Sequence, residues 1–157
     1  MMKEPRVLVA DDDKDAVLSL TMLLREEGYA VRGVHRGSEV LQAVFNFAPD
    51  VVLLDIGMPQ MSGYDVARTL RERYGSARPA LIAVTGRGGE TDRQQALAAG
   101  FEHHVAKPYE PHALLALLAQ LAKRPGLAPA GDKIDLDPRA SALTPTQVRA
   151  GRFPGTK

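Results

Sequence analysis

Cysteine is absent from the 157 residues of this chain, and so is any long apolar run. Without cysteine the chain can form no disulfide, no thiolate metal site and no cysteine nucleophile, which fits a reducing compartment. The longest apolar run, Ala113 to Ala119, is far shorter than the ~20 residues that a helix needs to cross a bilayer. The acidic run Asp11 to Asp13 also comes too early for a signal peptide to precede it. We therefore expect a cytoplasmic protein without a membrane partner.

A strong excess of charge of one sign is missing as well, since 20 Lys and Arg stand against 19 Asp and Glu. The two parts of the chain nevertheless differ. Residues 1–122 carry 13 basic and 16 acidic residues, a net charge of −3, whereas residues 123–157 carry 7 and 3, a net charge of +4. An acidic folded part argues against a nucleic-acid-binding surface, so we expect no nucleic-acid partner.

The end of the chain has little apolar periodicity. Residues 125–157 contain five of the 11 prolines, four of the 14 glycines and one aromatic residue, Phe153. A segment of this composition buries too little apolar surface to offset the entropy lost on ordering. The sequence therefore predicts a folded domain over residues 1–124 and a disordered tail over residues 125–157.

Five short apolar runs alternate with segments whose apolar residues recur at helical spacing. Runs of this kind are typical of buried strands, here Arg6–Ala10, Tyr29–Val34, Val51–Leu54, Ala80–Val84 and Phe101–Ala106. Because polar residues do not alternate within these runs, both faces of the sheet must be covered by helices. With right-handed crossovers, the pattern predicts an α/β fold with a doubly wound, five-stranded parallel sheet. At the helix ends, Asp13 and Ser38 are predicted N-caps, and Gly28 is a predicted stop.

Polar side chains follow four of these strands where each strand ends, and ligands bind at that edge of a doubly wound sheet. They are Asp11 and Asp12, Asp55, Thr85 and Lys107. Two carboxylates about 5 Å apart repel by roughly 3 kcal/mol at an effective dielectric of 20, and Mg²⁺ with its preference for oxygen ligands would relieve this. A carboxylate nucleophile together with a metal ion, a lysine and a hydroxyl group is suited to phosphoryl transfer.

Four segments of the chain resemble the signature segments of response-regulator receiver domains, the phosphoryl-accepting domains of two-component and phosphorelay systems. They are residues 7–13 (VLVADDD), 51–59 (VVLLDIGMP), 83–86 (AVTG) and 105–108 (VAKP), in the family's order and near its spacing. The resemblance covers about residues 5–122. It implies a flavodoxin-like sheet with strand order 2-1-3-4-5, and a signalling domain rather than a turnover enzyme.

The resemblance also implies a role for each site residue. Asp55 would be the phosphoryl acceptor and a ligand of Mg²⁺ or Mn²⁺. Asp12 would bind the metal directly and Asp11 through water, and the Gly57 carbonyl would complete the site.

The phosphoryl group itself would be bound by two further residues. Lys107 would bind it, with a cis bond to Pro108, and Thr85 would bind one of its oxygens and thereby pull the loop that follows strand 4 inward. This movement would alter the face made by helix 4, strand 5 and helix 5.

Three positions depart from the usual family pattern. His104 occupies the position of an aromatic rotamer switch, Gly57 places no side chain near the acyl phosphate, and Arg87 could reach over the site. The segments His103-His104 and Gly57-Met58-Pro59 are more similar to receivers of hybrid sensor kinases than to those of transcription factors.

The implied partners are a sensor histidine kinase or a histidine phosphotransfer protein, and a downstream protein target. The sequence leaves the oligomeric state open, and the chain could also be a fragment of a hybrid kinase. One alternative is a receiver-like adaptor that works without phosphorylation. Another is a haloacid-dehalogenase-like phosphohydrolase that uses Asp11 and Asp13. A nucleotide-binding module is disfavoured, because neither a Gly-x-Gly-x-x-Gly turn nor a Walker loop follows strand 1.

Overall fold

The computed structural model describes residues 4–76, 79–86 and 90–122. Five strands alternate with five helices: β1 (Arg6–Ala10), α1 (Lys14–Glu26), β2 (Ala30–Val34), α2 (Gly37–Phe47), β3 (Val51–Asp55), α3 (Gly63–Tyr74), β4 (Ala80–Thr85), α4 (Glu90–Ala99), β5 (His103–Ala106) and α5 (Pro111–Ala122). The strands form one parallel sheet in the order β2-β1-β3-β4-β5. This confirms the predicted doubly wound architecture.

The sheet separates two hydrophobic clusters, because successive side chains along a strand point to opposite faces. Helices α1 and α5 cover one face, where Val9 and Leu53 are buried. Helices α2, α3 and α4 cover the other face, where Leu8 and Leu54 are buried. Both faces of the central strands are thus in the core, which explains why their sequences are uninterrupted apolar runs.

Two strands begin later than predicted, β2 after Tyr29 and β5 after Phe101. In both cases the preceding helix ends at a glycine with positive φ, Gly28 at 96° and Gly100 at 114°. The N–H groups of Tyr29 and Phe101 donate back to Leu24 and Ala96, at 3.1 and 3.0 Å, as in a Schellman motif. These two N–H groups therefore complete the ends of the helices, although the prediction had placed both residues in strands.

The predicted helix caps have mixed outcomes. The Asp13 carboxylate accepts hydrogen bonds from the N–H groups of Asp15 and Ala16, so its role as the N-cap of α1 is confirmed. The Ser38 prediction is wrong, because α2 already begins at Gly37 and its N-cap is Arg36, whose side chain makes no capping hydrogen bond.

Some predictions fall on residues that the structure does not describe. The tail over residues 125–157 and Arg87 both lie outside the described ranges. Within those ranges, no helix has the length and apolar character needed to cross a bilayer.

Candidate functional site

The five polar residues predicted at the strand ends meet at the carboxyl edge of the sheet. The strand register explains this, since Ala10 pairs with Leu54, Asp55 with Val84, and Thr85 with Ala106. The strands β1, β3, β4 and β5 thus end almost level with one another. The residues that end or directly follow them are Asp11 and Asp12, Asp55, Thr85 and Lys107.

Three carboxylates form an acidic cluster at this edge. Asp11, Asp12 and Asp55 each offer one oxygen, and these oxygens lie within 4.8 Å of one another. Asp11 and Asp55 are buried, with 6% and 8% of their surface exposed, whereas Asp12 is exposed. A set of hard oxygen donors that includes two buried carboxylates is suited to a hard divalent cation.

Lys107 lies against the cluster. Its Nζ donates a hydrogen bond to Asp11 Oδ2 at 2.7 Å and is 3.9 Å from Asp55 Oδ2. Its backbone N–H donates to the Thr85 carbonyl at 2.7 Å, which joins the end of β5 to the end of β4. The Lys107–Pro108 bond is cis, as the resemblance implied. The ammonium group is thus paired with Asp11 and within a short movement of Asp55.

The electrostatics of the cluster differ from one carboxylate to the next. Burial raises the pKa of Asp55 to about 6, the Gly57 hydrogen bond opposes this, and the charge on Asp11 adds to it. Burial would also raise the pKa of Asp11, but its hydrogen bonds from Lys107 and the Asp13 N–H lower it. The pKa of Lys107 is raised, because its contacts with the two carboxylates outweigh desolvation. Asp55 is therefore the carboxylate whose charge is least well compensated.

Gly57 contacts the Asp55 side chain through its backbone. Its N–H donates to Asp55 Oδ1 at 3.1 Å, which fixes the rotation of the carboxylate. A Cβ at position 57 would lie 3.8 Å from the same oxygen, in ordinary van der Waals contact. Glycine therefore leaves the approach to the carboxylate open on this side. The role of the Gly57 carbonyl as a metal ligand stays a prediction.

Thr85 and His104 lie at the side of the site formed by β4 and β5. Thr85 ends β4 and is buried, with 8% of its surface exposed. His104 is partly buried opposite Ala83, and its Nε2 is a buried atom that finds no hydrogen-bond partner among the described residues. The role of His104 as a switch stays a prediction.

His35 lies at the same edge of the sheet and was not among the predicted site residues. It follows β2, and its Nδ1 lies 3.3 Å from the Asp11 carbonyl oxygen. The Asp11 N–H in turn donates to the Val34 carbonyl at 3.2 Å. The rule that selected the polar residues after the other four strands would have selected His35 too, had it been applied to β2.

A cleft of about 490 Å³ opens beside the site, between α1 and the segment that links β5 to α5. Its floor is apolar and includes Val9, Leu53 and Val84, and its rim includes Asp11 and Lys107. The cleft leaves Asp11 and Lys107 reachable from the α1 side.

Comparisons with known proteins agree on one family. The profile of the family described as "Response regulator receiver domain" matches residues 7–119. The chain is 36% identical over 119 residues to the DNA-binding response regulator MtrA of Mycolicibacterium smegmatis, covering 76% of this chain and 51% of that protein. It is 34% identical over 123 residues to the transcriptional regulatory protein CreB of Escherichia coli, covering 78% and 53%. The chain therefore spans about half the length of these two relatives.

Solved structures give the same result. A response regulator receiver domain protein from Methanospirillum hungatei superimposes with a TM-score of 0.69 at 28% identity, over 77% of this chain and 96% of that one. The two named relatives are regulators of DNA-binding or transcriptional type. They lend no support to the predicted likeness to receivers of hybrid sensor kinases, which stays a prediction.

Proposed function

This chain belongs to the response-regulator receiver family, whose role is to accept a phosphoryl group in two-component signalling, and we propose that Asp55 is its acceptor. The observation that carries the proposal is the position of the Asp55 carboxylate. It is buried, its Oδ1 accepts the Gly57 N–H, and its Oδ2 lies 3.9 Å from the Lys107 ammonium. It is also the carboxylate with the raised pKa, as expected for a group placed for chemistry.

A divalent cation fits the acidic cluster. The repulsion from Asp11 that helps to raise the pKa of Asp55 is what a cation at the cluster would relieve. The Asp11, Asp12 and Asp55 carboxylates and the Gly57 carbonyl would hold Mg²⁺ or Mn²⁺. When bound, the ion would neutralise part of the negative charge of the acceptor and of the incoming phosphoryl group.

Phosphoryl transfer would use the chain's own residues as follows. An Asp55 carboxylate oxygen attacks phosphorus, the new O–P bond forms as the bond from phosphorus to the donor breaks, and the leaving group takes a proton from solvent. For a kinase or a histidine phosphotransfer protein, the donor atom is an imidazole nitrogen. The raised pKa of Lys107 keeps its side chain charged at neutral pH, so that it offsets the negative charge of the phosphoryl oxygens. The Thr85 hydroxyl donates a hydrogen bond to one of these oxygens.

The output would follow from the same contacts. Movement of Thr85 toward the phosphoryl group and of His104 into the space behind it would change the surface of α4, β5 and α5, where a downstream protein binds. The protein would act as a switch and not as a turnover enzyme. MtrA is DNA-binding, but the net charge of −3 on residues 1–122 supports a receiver that does not itself contact nucleic acid.

The phosphohydrolase alternative finds no support at this site. It requires Asp13 as a catalytic partner of Asp11, but the Asp13 carboxylate caps α1 through the N–H groups of Asp15 and Ala16. The cluster of carboxylates that could hold a metal ion contains Asp55 in its place.

Incubation with acetyl phosphate and Mg²⁺ tests the proposal. Intact-mass measurement should show one added phosphoryl group that hydroxylamine removes. The group should not be added when EDTA is present during the incubation. Asp55→Asn should abolish the labelling, since an amide is a poor nucleophile, and Asp15→Asn is the matched control on an exposed carboxylate. Peptide mapping of the adduct to Asp11, or labelling that survives Asp55→Asn, would overturn Asp55 as the acceptor. A protein that no donor or kinase labels would instead be the phosphorylation-independent adaptor.

A further inference from the structure

The loop between β3 and α3, residues 56–62, is held in a strained conformation directly after Asp55. Ile56 and Met58 are buried in the core, so the loop is anchored at its start. Gln60 has a φ of 72°, a left-handed value that side chains disfavour, and the Met61 N–H donates across it to the Pro59 carbonyl at 2.8 Å. This is the hydrogen bond of a γ-turn, and turns of this hand are rare and strained. Surrounding contacts must hold such a loop in place.

One of those contacts is the close approach of Gly63 to the end of β3. Its N–H donates to the Ile56 carbonyl at 3.0 Å. A Cβ at position 63 would lie 2.7 Å from Ile56 Cα and 2.9 Å from the Asp55 carbonyl oxygen. Both are backbone atoms, so a side chain could enter only if the backbone at Asp55 and Ile56 moved.

The second contact comes from the far side of the loop. Gly37 is the first residue of α2, and it is buried. A Cβ there would lie 2.9 Å from Met61 Cβ, 3.0 Å from the Met61 carbonyl oxygen and 3.0 Å from Val66 Cγ2. The loop is therefore seated between two glycines, each the first residue of its helix.

We propose that Gly37 and Gly63 are positioning residues for phosphoryl transfer: with no Cβ on either, the loop closes on α2 and α3 and holds the Gly57 backbone against Asp55. The inference rests on the proposed function, because it assumes that Asp55 is the acceptor and that Gly57 belongs to the metal site. Helix propensity favours alanine over glycine, so any harm done by alanine at either position comes from the contacts and not from the helix.

Gly37→Ala and Gly63→Ala should therefore slow the phosphorylation of Asp55 by acetyl phosphate by at least about tenfold at saturating donor, since a displacement of 1 Å can cost about 100-fold. The Mg²⁺ concentration that gives half the maximal rate should rise, because the Gly57 carbonyl moves with the loop. Rates are measured by intact mass at 10 °C, on samples that circular dichroism shows to be folded.

Gly28→Ala and Gly100→Ala are the matched controls. Both positions have positive φ, so alanine strains them, and they lie at the opposite edge of the sheet, before β2 and β5. A Cβ at Gly28 would meet nothing within 4 Å, whereas one at Gly100 would displace the flexible Arg71 side chain, so Gly28→Ala is the cleaner of the two controls. These variants should lower the melting temperature and leave the phosphorylation rate and the Mg²⁺ midpoint within about twofold of the wild type.

The outcomes separate the two proposals. Failure of the wild type to be labelled on Asp55 refutes the proposed function. If the wild type is labelled and both Gly37→Ala and Gly63→Ala are phosphorylated within twofold of its rate, the positioning role is refuted. An equal loss of rate in the control variants refutes it as well. If Gly63→Ala does not fold, Gly37→Ala decides alone, since two of its three contacts are side-chain atoms. Loss of fold in both variants would leave the glycines a purely structural role and overturn the inference.

Discussion

Removing the charge of Asp55 should stabilise the metal-free protein. The pKa of this carboxyl is raised from 3.8 to about 6, chiefly by burial and then by the charge on Asp11. A raised pKa means that the folded state binds the proton more tightly than the unfolded chain does. The stability linked to Asp55 is therefore fully present below pH 3.8 and is lost as the pH rises through 6. At 1.36 kcal/mol for each pKa unit, the loss approaches about 3 kcal/mol at pH 7.5.

Asparagine has nearly the same shape and no charge, and its oxygen can still accept the Gly57 N–H. Asp55→Asn should thus be up to about 3 kcal/mol more stable than the wild type at pH 7.5, with the difference shrinking toward zero near pH 4. In a domain of this size the gain corresponds to a rise in melting temperature of about 10 °C. Thermal and urea unfolding from pH 4 to 8, in EDTA, measure it.

The control for this experiment is Asp15→Asn, which removes an exposed acid from the first turn of α1 and should cost about 0.5 kcal/mol. Saturating Mg²⁺ should narrow the gap between the wild type and Asp55→Asn, because the ion relieves the same repulsion. An Asp55→Asn protein that melts at or below the wild type at pH 7.5, or a gap that does not change with pH, would refute the electrostatic argument.

Four further predictions concern the site, the switch and the tail. Mg²⁺ at 100 times its dissociation constant should raise the free energy of unfolding by about 2.7 kcal/mol, while NaCl of equal ionic strength should not. Asp13→Ala should lower the free energy of unfolding by about 1 kcal/mol, because the N-cap of α1 is lost, while Asp55 should still be phosphorylated. Loss of labelling in the folded variant would show that Asp13 takes part in the site. His104→Ala should still be phosphorylated on Asp55, yet lose the NMR shift changes in α4 and α5 that phosphorylation produces. Deleting residues 126–157 should leave melting temperature and labelling unchanged, and a large drop in melting would show that the tail docks.

Much of the fold could be predicted from local patterns. Uninterrupted apolar runs such as Val51–Leu54 identify strands buried on both faces, because a strand covered on one side only would alternate with polar residues. Acids directly after such strands then had to meet, since the carboxyl ends of parallel strands share one edge. The Asp13 cap was predictable for a similar reason, because it involves only the three residues that follow it.

Helix ends were less predictable, because they depend on which of two elements uses a given N–H group. A glycine after a helical pattern, such as Gly28, was a recognisable stop signal. That Tyr29 and Phe101 donate back to the helix, and not to the sheet, follows from the backbone conformation at the glycine before each of them.

The sequence alone thus determined the five parallel strands and the site residues at the ends of four of them, since both follow from periodicity and chain order, and the family resemblance added the strand order. Only the tertiary structure decided how those residues pair. Lys107, 96 residues away from Asp11, bonds to it at 2.7 Å and leaves Asp55 at 3.9 Å. Burial raises the pKa of both carboxyls, and the hydrogen bonds from Lys107 and the Asp13 N–H more than offset it at Asp11 alone. The close approaches of Gly37 and Gly63 are likewise set by how two helices seat against a loop. Distances of this kind between remote segments depend on the packing of the whole core, and no local pattern encodes them.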